Sequence, residues 1–264
     1  MNPFAYFVAL VLFNAIFALD SNTQVELVEV FRIPTDANKG FRFFRIGALG
    51  YLASANYKLS QVFSLEGGHF SGDPLRAIKY QTFRTMGAHG VDAFTVDNRY
   101  LDWDDESDRQ EHFLVIPNIH ACGEKRGPVD VDNPCKSTTV YQYNSKGKFR
   151  EYQKLQTAGP AQTTHLLLRD GSAFIIVGES MNDEVCIYRR RYTKFFDKHE
   201  CLFVPGAGSV AVAEVNSVIY LAASSFFNTE QGGLETKSRI FVANATVPGV
   251  EISFRSFSHI LYAT

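Results

Sequence analysis

Asp97, Asp102, Asp104, Asp105, Glu106 and Asp108 crowd carboxylates into one polar stretch. Hard cations such as calcium take several carboxylate oxygens, so this cluster is a candidate cation loop. It lacks the Asp-x-Asp-x-Asp-Gly order, and a solvated acidic loop is the simpler reading. Trp103 lies inside it, either as an exposed interface anchor or folded back on the core. Arg189, Arg190, Arg191 and Lys194 form a basic run. On a strand Arg189 and Arg191 share a face while Arg190 points the other way. Arg189 and Arg191 are therefore candidates for contact with a sulfated glycan or an acidic protein; the alternative is a charged strand edge that discourages aggregation. The histidines, His69, His89, His112, His120, His165, His199 and His259, show no zinc-ligand spacing. There is no G-x-S-x-G, H-E-x-x-H or P-loop. Gly206-Ala207-Gly208-Ser209 leads into a strand rather than a helix, so it reads as a turn and not a dinucleotide site. No cofactor or metal is expected.

The cysteines are Cys122, Cys135, Cys186 and Cys201, which allow three pairings. Cys122–Cys135 and Cys186–Cys201 are favoured because each closes a short segment, with about 3 kcal/mol expected per bridge. Bridges require an oxidising compartment, and the N-terminus agrees. Residues Pro3 to Leu19 are apolar except for Asn14, with a core from Phe4 to Phe13 too short to span a bilayer. Small residues at Ala15 and Ala18 precede polar Asp20-Ser21-Asn22, so residues 1–18 read as a signal peptide cut near Ala18. The alternative is an uncleaved anchor, since no Lys or Arg lies between Met1 and Phe4. Asn244-Ala245-Thr246 is an N-glycosylation sequon, with Asn244 the acceptor. A formal net charge of −2 argues against a generally cationic nucleic-acid binder.

Positioning these residues falls to strands. The chain holds 23 Phe and 12 Tyr, residues that favour pleated, half-buried surfaces. A pattern recurs through it. Tyr80-Gln81-Thr82-Phe83-Arg84-Thr85 and Tyr152-Gln153-Lys154-Leu155-Gln156-Thr157 are its clearest openings, with looser copies at Val30–Thr35 and Cys201–Pro205. An alternating strand follows: Phe41–Ile46, Val91–Val96, Thr163–Leu168 and Ser209–Val215. Then come the apolar runs Tyr51–Ala55, Phe113–Ile116, Phe174–Val177 and Tyr220–Ala223. A third strand carries Val62-Phe63, Val140-Tyr141, Ile187-Tyr188 and Ile240-Phe241. Short antiparallel strands in units of about 45–50 residues predict propeller blades. The fold class is thus all-β, a β-propeller of about four four-stranded antiparallel blades, as a small closed ring or an incomplete one. The alternative is a many-stranded β-sandwich. Residues 25–262 form the repeat domain, with a polar insertion at about 101–136 pinned by Cys122–Cys135. Val25–Ile33 and Ile252–Leu261 are expected to pair and latch the ring.

These residues resemble the EAR repeat, also called epitempin or EPTP. That family opens on Tyr-Gln-x-Leu-x-Thr-x-Gly-Ala, as at Tyr152-Gln153-Lys154-Leu155-Gln156-Thr157-Ala158-Gly159. Its centre, Tyr-Leu-Ala-Val-Ala-Asn, is similar to Tyr51-Leu52-Ala53-Ser54-Ala55-Asn56, and its end to Ile187-Tyr188 with Phe195. The resemblance implies a secreted or cell-surface propeller that binds other proteins. The chain departs from the family in its blade count, where seven is usual, and in carrying no attached module such as leucine-rich repeats.

The sequence reading is therefore a secreted, non-enzymatic β-propeller that binds an extracellular protein or cell-surface receptor. It has no nucleic-acid partner and no membrane span after cleavage, and a second copy could complete the ring. The first alternative is a secreted propeller glycoside hydrolase or other carbohydrate-active protein, which needs two carboxylates about 5–10 Å apart in the central pocket. The repeated strands offer no pair to nominate. The second alternative is a structural extracellular-matrix protein.

Overall fold

The computed structural model describes residues 6–8, 32–34, 38–67, 74–98, 110–119, 138–190, 195–225, 237–244, 252–256 and 261–262. Four antiparallel sheets follow one another along the chain. Blade 1 holds β3 (Gly40–Ile46), β4 (Leu49–Ala55), β5 (Leu59–Glu66) and β6 (Arg76–Arg84). Blade 2 holds β7 (Asp92–Asp97), β8 (Gln110–Pro117), β9 (Thr138–Tyr143) and β10 (Phe149–Leu155). Blade 3 holds β11 (Pro160–Leu167), β12 (Ala173–Glu179), β13 (Glu184–Arg190) and β14 (Phe196–Phe203). Blade 4 holds β15 (Ala207–Val215), β16 (Val218–Ser225), β17 (Lys237–Asn244) and β18 (Arg255–Ser256). The first strand of each blade packs beside the first strand of the next, β3 by β7, β7 by β11 and β11 by β15. Those strands surround the axis of a β-propeller, the predicted class. Among the described residues no helix is long and apolar enough to cross a membrane.

Each sheet is apolar on both faces because each is covered by a neighbour. The second strands show it most: all seven residues of β12 are buried. Phe174, Ile176 and Val185 face blade 4 in one core. Ile175, Val177 and Tyr188 face blade 2 in another, with Phe94, Phe113 and Phe196. A third core joins blades 1 and 2 through Tyr51, Phe83, Leu114 and Phe149. The free face of blade 1, Leu52 and Phe63, takes Ile33 from β2 (Arg32–Pro34).

The sequence repeat and the blade are out of phase by one strand. The openings Tyr80–Thr85 and Tyr152–Thr157 lie on and just past β6 and β10, the outermost strands of blades 1 and 2. Their amides span the blade boundary. Gln81 donates Nε2 to Phe149 O at 2.8 Å and accepts from Phe149 N at 3.0 Å. Gln153 repeats this on Phe196, at 2.8 and 2.9 Å. At the same place in blade 3 Glu200 Oε1 accepts from Phe254 N at 3.1 Å. Thr85 bonds the Ser60 hydroxyl at 3.2 Å, and Thr157 bonds Thr138 at 2.9 Å, tying each outermost strand to the strand before it. The glycine two residues past this position, Gly87, Gly159 and Gly206, has φ of 70°, 59° and 56°. That left-handed backbone turns the chain into the next blade and favours glycine.

The structure bears on three expectations. The interval 101–136 is not one insertion, because β8 runs through it as a central strand. Of the expected latch, residues 25–31 and 257–260 lie outside the described residues. β2 pairs with β1 (Tyr6–Val8), whereas β18 and β19 (Leu261–Tyr262) both pair with β17. Of the Arg run, Arg191 and Lys194 lie outside the described residues; Arg189 is half-buried and Arg190 buried, as set out next.

Candidate functional site

Register brings a charged cluster together at one end of the axis. Arg42 lies opposite Ala53, Asp92 opposite Val115, Thr163 opposite Val177 and Val210 opposite Ala223. Each partner is the third residue from the end of its strand, so these four first-strand residues occupy one layer around the axis. Only blade 2 puts a carboxylate there. Asp92 is 3% exposed. Its Oδ1 accepts from Ala93 N at 2.9 Å and lies 3.2 Å from Arg42 Nε of blade 1. Its Oδ2 lies 2.7 Å from His165 Nδ1 of blade 3. One buried carboxylate thus ties three successive blades. Burying it is tolerable because the Arg42 cation, the Ala93 N–H and the His165 ring all lie against its oxygens.

His165 stacks on Phe94 with ring centroids 4.8 Å apart, which fixes the imidazole plane. With Nδ1 committed to Asp92, the ring's other nitrogen, Nε2, is left for a proton transfer. Thr163 lies two residues before His165 on the same face of β11. Its Oγ1 is buried and has no hydrogen-bond partner. A carboxylate, a guanidinium and a hydroxyl on one axial layer, with an oriented imidazole two residues further along β11, can bind a polyol and exchange protons with it.

The other buried carboxylates are fully engaged elsewhere. Glu111 of β8 pairs with Arg190 and accepts from Asn98 Nδ2 at 2.6 Å and Gln142 Nε2 at 2.7 Å. Arg190 also lies over the Phe113 ring at 5.3 Å. This group locks blade 2 to blade 3 near the end of β7 opposite Asp92. Glu179, the last residue of β12, accepts from Ala158 N at 2.9 Å and from Tyr188 Oη at 3.2 Å. Desolvation pushes the Glu179 carboxyl above its ordinary value, and drives the Tyr188 phenol up as well.

The sequence-selected residues fare unevenly. Cys186 and Cys201 form a disulfide across β13 and β14, as expected. Arg189 lies 5.7 Å over the Phe174 ring, opposite Asp197 in register, as a half-buried strand residue. Asn244 ends β17 opposite Val218. Asp97 ends β7 at the other end of the strand from Asp92. Cys122, Cys135, Trp103, Arg191 and the acidic run 102–108 lie outside the described residues. Sequence reasoning missed Asp92. Its signal was a charged residue opening an otherwise apolar strand, Val91-Asp92-Ala93-Phe94.

The fold and this axial cluster define a β-propeller with a polar centre, and comparison with solved structures agrees on the fold. A family-43 β-1,3-galactosidase matches with TM-score 0.50 and 12% identity, over 85% of this chain and 46% of that one. A thermostable family-43 glycoside hydrolase matches with TM-score 0.49 and 8% identity, over 85% and 74%. An exo-β-1,3-galactanase from Phanerochaete chrysosporium matches with TM-score 0.47 and 9% identity, over 84% and 50%. The chain spans about half the length of several of these proteins. No family model matches it, and no curated protein matches it in sequence. The expectation of a non-enzyme is corrected here. It rested on the signal peptide, the cysteine pattern, the repeats and the EAR resemblance, with no carboxylate pair to nominate for the rival; the structure places one buried carboxylate, Asp92, on the axis, and the solved structures of similar fold are glycoside hydrolases.

Proposed function

We propose that the chain is a carbohydrate-active propeller that binds a glycan at the Asp92 end of its axis and cleaves a glycosidic linkage there. The observation that carries this reading is the Arg42–Asp92–His165 bridge across three blades. His165, held by buried Asp92, can exchange a proton with an acetal oxygen; among the described residues no second carboxylate joins Asp92 in that layer to complete the usual glycosidase pair. The Asp92 layer breaks the blade symmetry, as a reactive centre must. The fold-level neighbours suggest β-1,3-linked galactosides as the first substrates to try. Export is part of the proposal, supported by the apolar N-terminus, the Cys186–Cys201 bridge and the resemblance to EAR repeats.

The test is hydrolysis of a panel of β-linked oligosaccharides, galactosides first, by purified full-length protein and by Asp92→Asn. Reducing-end release by the parent and its loss by at least a hundredfold in the variant, both assayed at a temperature where circular dichroism shows them folded, is the expected result. A panel that the parent neither binds nor cleaves refutes the proposal.

A further inference from the structure

Resting on that reading of the axial site, we infer that its ligand carries an anionic group, a uronate carboxylate or a sulfate ester, received by Arg42. The geometry separates the two edges of this guanidinium. Nε faces Asp92, while the side chain as a whole is 44% exposed. Among the described residues, Asp92 is the one partner of Arg42. The Nη pair is therefore an unspent fork beside the axis. A guanidinium fork matches the paired oxygens of a carboxylate or a sulfate, and a neutral hydroxyl uses only half of it.

The charge balance points the same way. Asp92 is spent on Arg42 and His165, and Glu179 on Ala158 and Tyr188. Lys39, just before β3, and Lys58, between β4 and β5, are exposed at the end of blade 1 where β3 begins. Among the described residues, no exposed carboxylate stands beside them in blades 1 and 2 at that end. Two lysines beside Arg42 favour an anion locally on blade 1, while blade 3 carries Glu179, Asp183 and Glu184 at the same end.

The experiment is calorimetric titration of the full chain at low and moderate salt with three probes. They are β-1,3-galactotriose, the same trisaccharide bearing a terminal uronate, and the same bearing a sulfate ester. We expect one or both anionic probes to bind at least tenfold more tightly than the neutral one, with the advantage shrinking as salt rises. The two anionic arms distinguish carboxylate from sulfate. The readout is the ratio of anionic to neutral affinity: Arg42→Gln should bring it to about one, and Arg42→Lys, which keeps a cation beside buried Asp92, should lower it most of the way and is the variant to read if Arg42→Gln does not fold. Equal affinity for all three probes, with Asp92-dependent cleavage, overturns this inference and leaves the glycosidase reading standing. Arg42-dependent preference for an anionic probe, with no probe cleaved, does the reverse. Absence of binding by every probe overturns both.

Discussion

Replacing Gln153 by Ala should destabilise the propeller by about 2–3 kcal/mol. Its amide makes two hydrogen bonds to one residue, Phe196, the first of β14. Phe196 is 1% exposed and sits in the core between blades 2 and 3. Truncation leaves its N–H and C=O without partners, and an unsatisfied buried group costs ~1–3 kcal/mol. Both bonds are partly buried, so water can reach the gap and the lower end of that range applies to each group. For a chain of this size the loss corresponds to a melting shift of about 5–10 °C. Urea unfolding followed by far-ultraviolet circular dichroism reads it as a lower midpoint at unchanged slope. Gln81→Ala removes the same pair of bonds from Phe149 and should cost the same within about 0.5 kcal/mol. A loss under about 0.5 kcal/mol for either variant would refute the assignment of the Tyr-Gln box as a blade-to-blade tie.

Three further outcomes follow from other contacts. Arg190→Met strands Glu111 in a buried setting and should cost about 3–5 kcal/mol by chemical denaturation, with Glu111→Gln in the same background recovering part of it. Cys186→Ala with Cys201→Ala opens a bridge of sequence separation 15 and should lose about 3 kcal/mol, as should the parent under reductant. The folded-state pKa of Glu179 is raised above the ordinary 4.5, so folding favours its protonated form. Its contribution is harmless below pH 4.5 and turns unfavourable as pH rises through the raised value. Glu179→Gln keeps an acceptor for Ala158 and should therefore match the parent at pH 4 and exceed it in melting temperature at pH 8; a variant less stable at pH 8 contradicts this.

The blades were legible because their strands are covered on both sides. Runs such as Phe174-Ile175-Ile176-Val177 announce themselves without any knowledge of what covers them. The repeat was legible too, but its phase was not. Gln81 and Gln153 mark the outermost strand, and the sequence gives no sign that their partners are backbone groups 68 and 43 residues onward. The axial cluster was illegible for a related reason. Arg42, Asp92 and His165 come from separate repeats, and only strand register makes them neighbours. Charge is dense in sequence at Arg189, Arg190 and Arg191; of the described members the buried one is Arg190, whose partner Glu111 is 79 positions away. Density of charge marks solvent, and an isolated charge in an apolar strand marks a buried tie.

The ties reaching from each outermost strand to the next blade have a direction. Gln81 of blade 1 grips the first residue of the last strand of blade 2, Gln153 of blade 2 grips that of blade 3, and Glu200 of blade 3 grips Phe254 of blade 4. Every grip is held out by the earlier blade and received by the later one. A chain leaving the ribosome would thus meet a finished template at each step, never one still to be made. Loss of material from the C-terminus leaves the remaining blades with their own templates intact, whereas loss of blade 1 deprives the whole succession of its first mould.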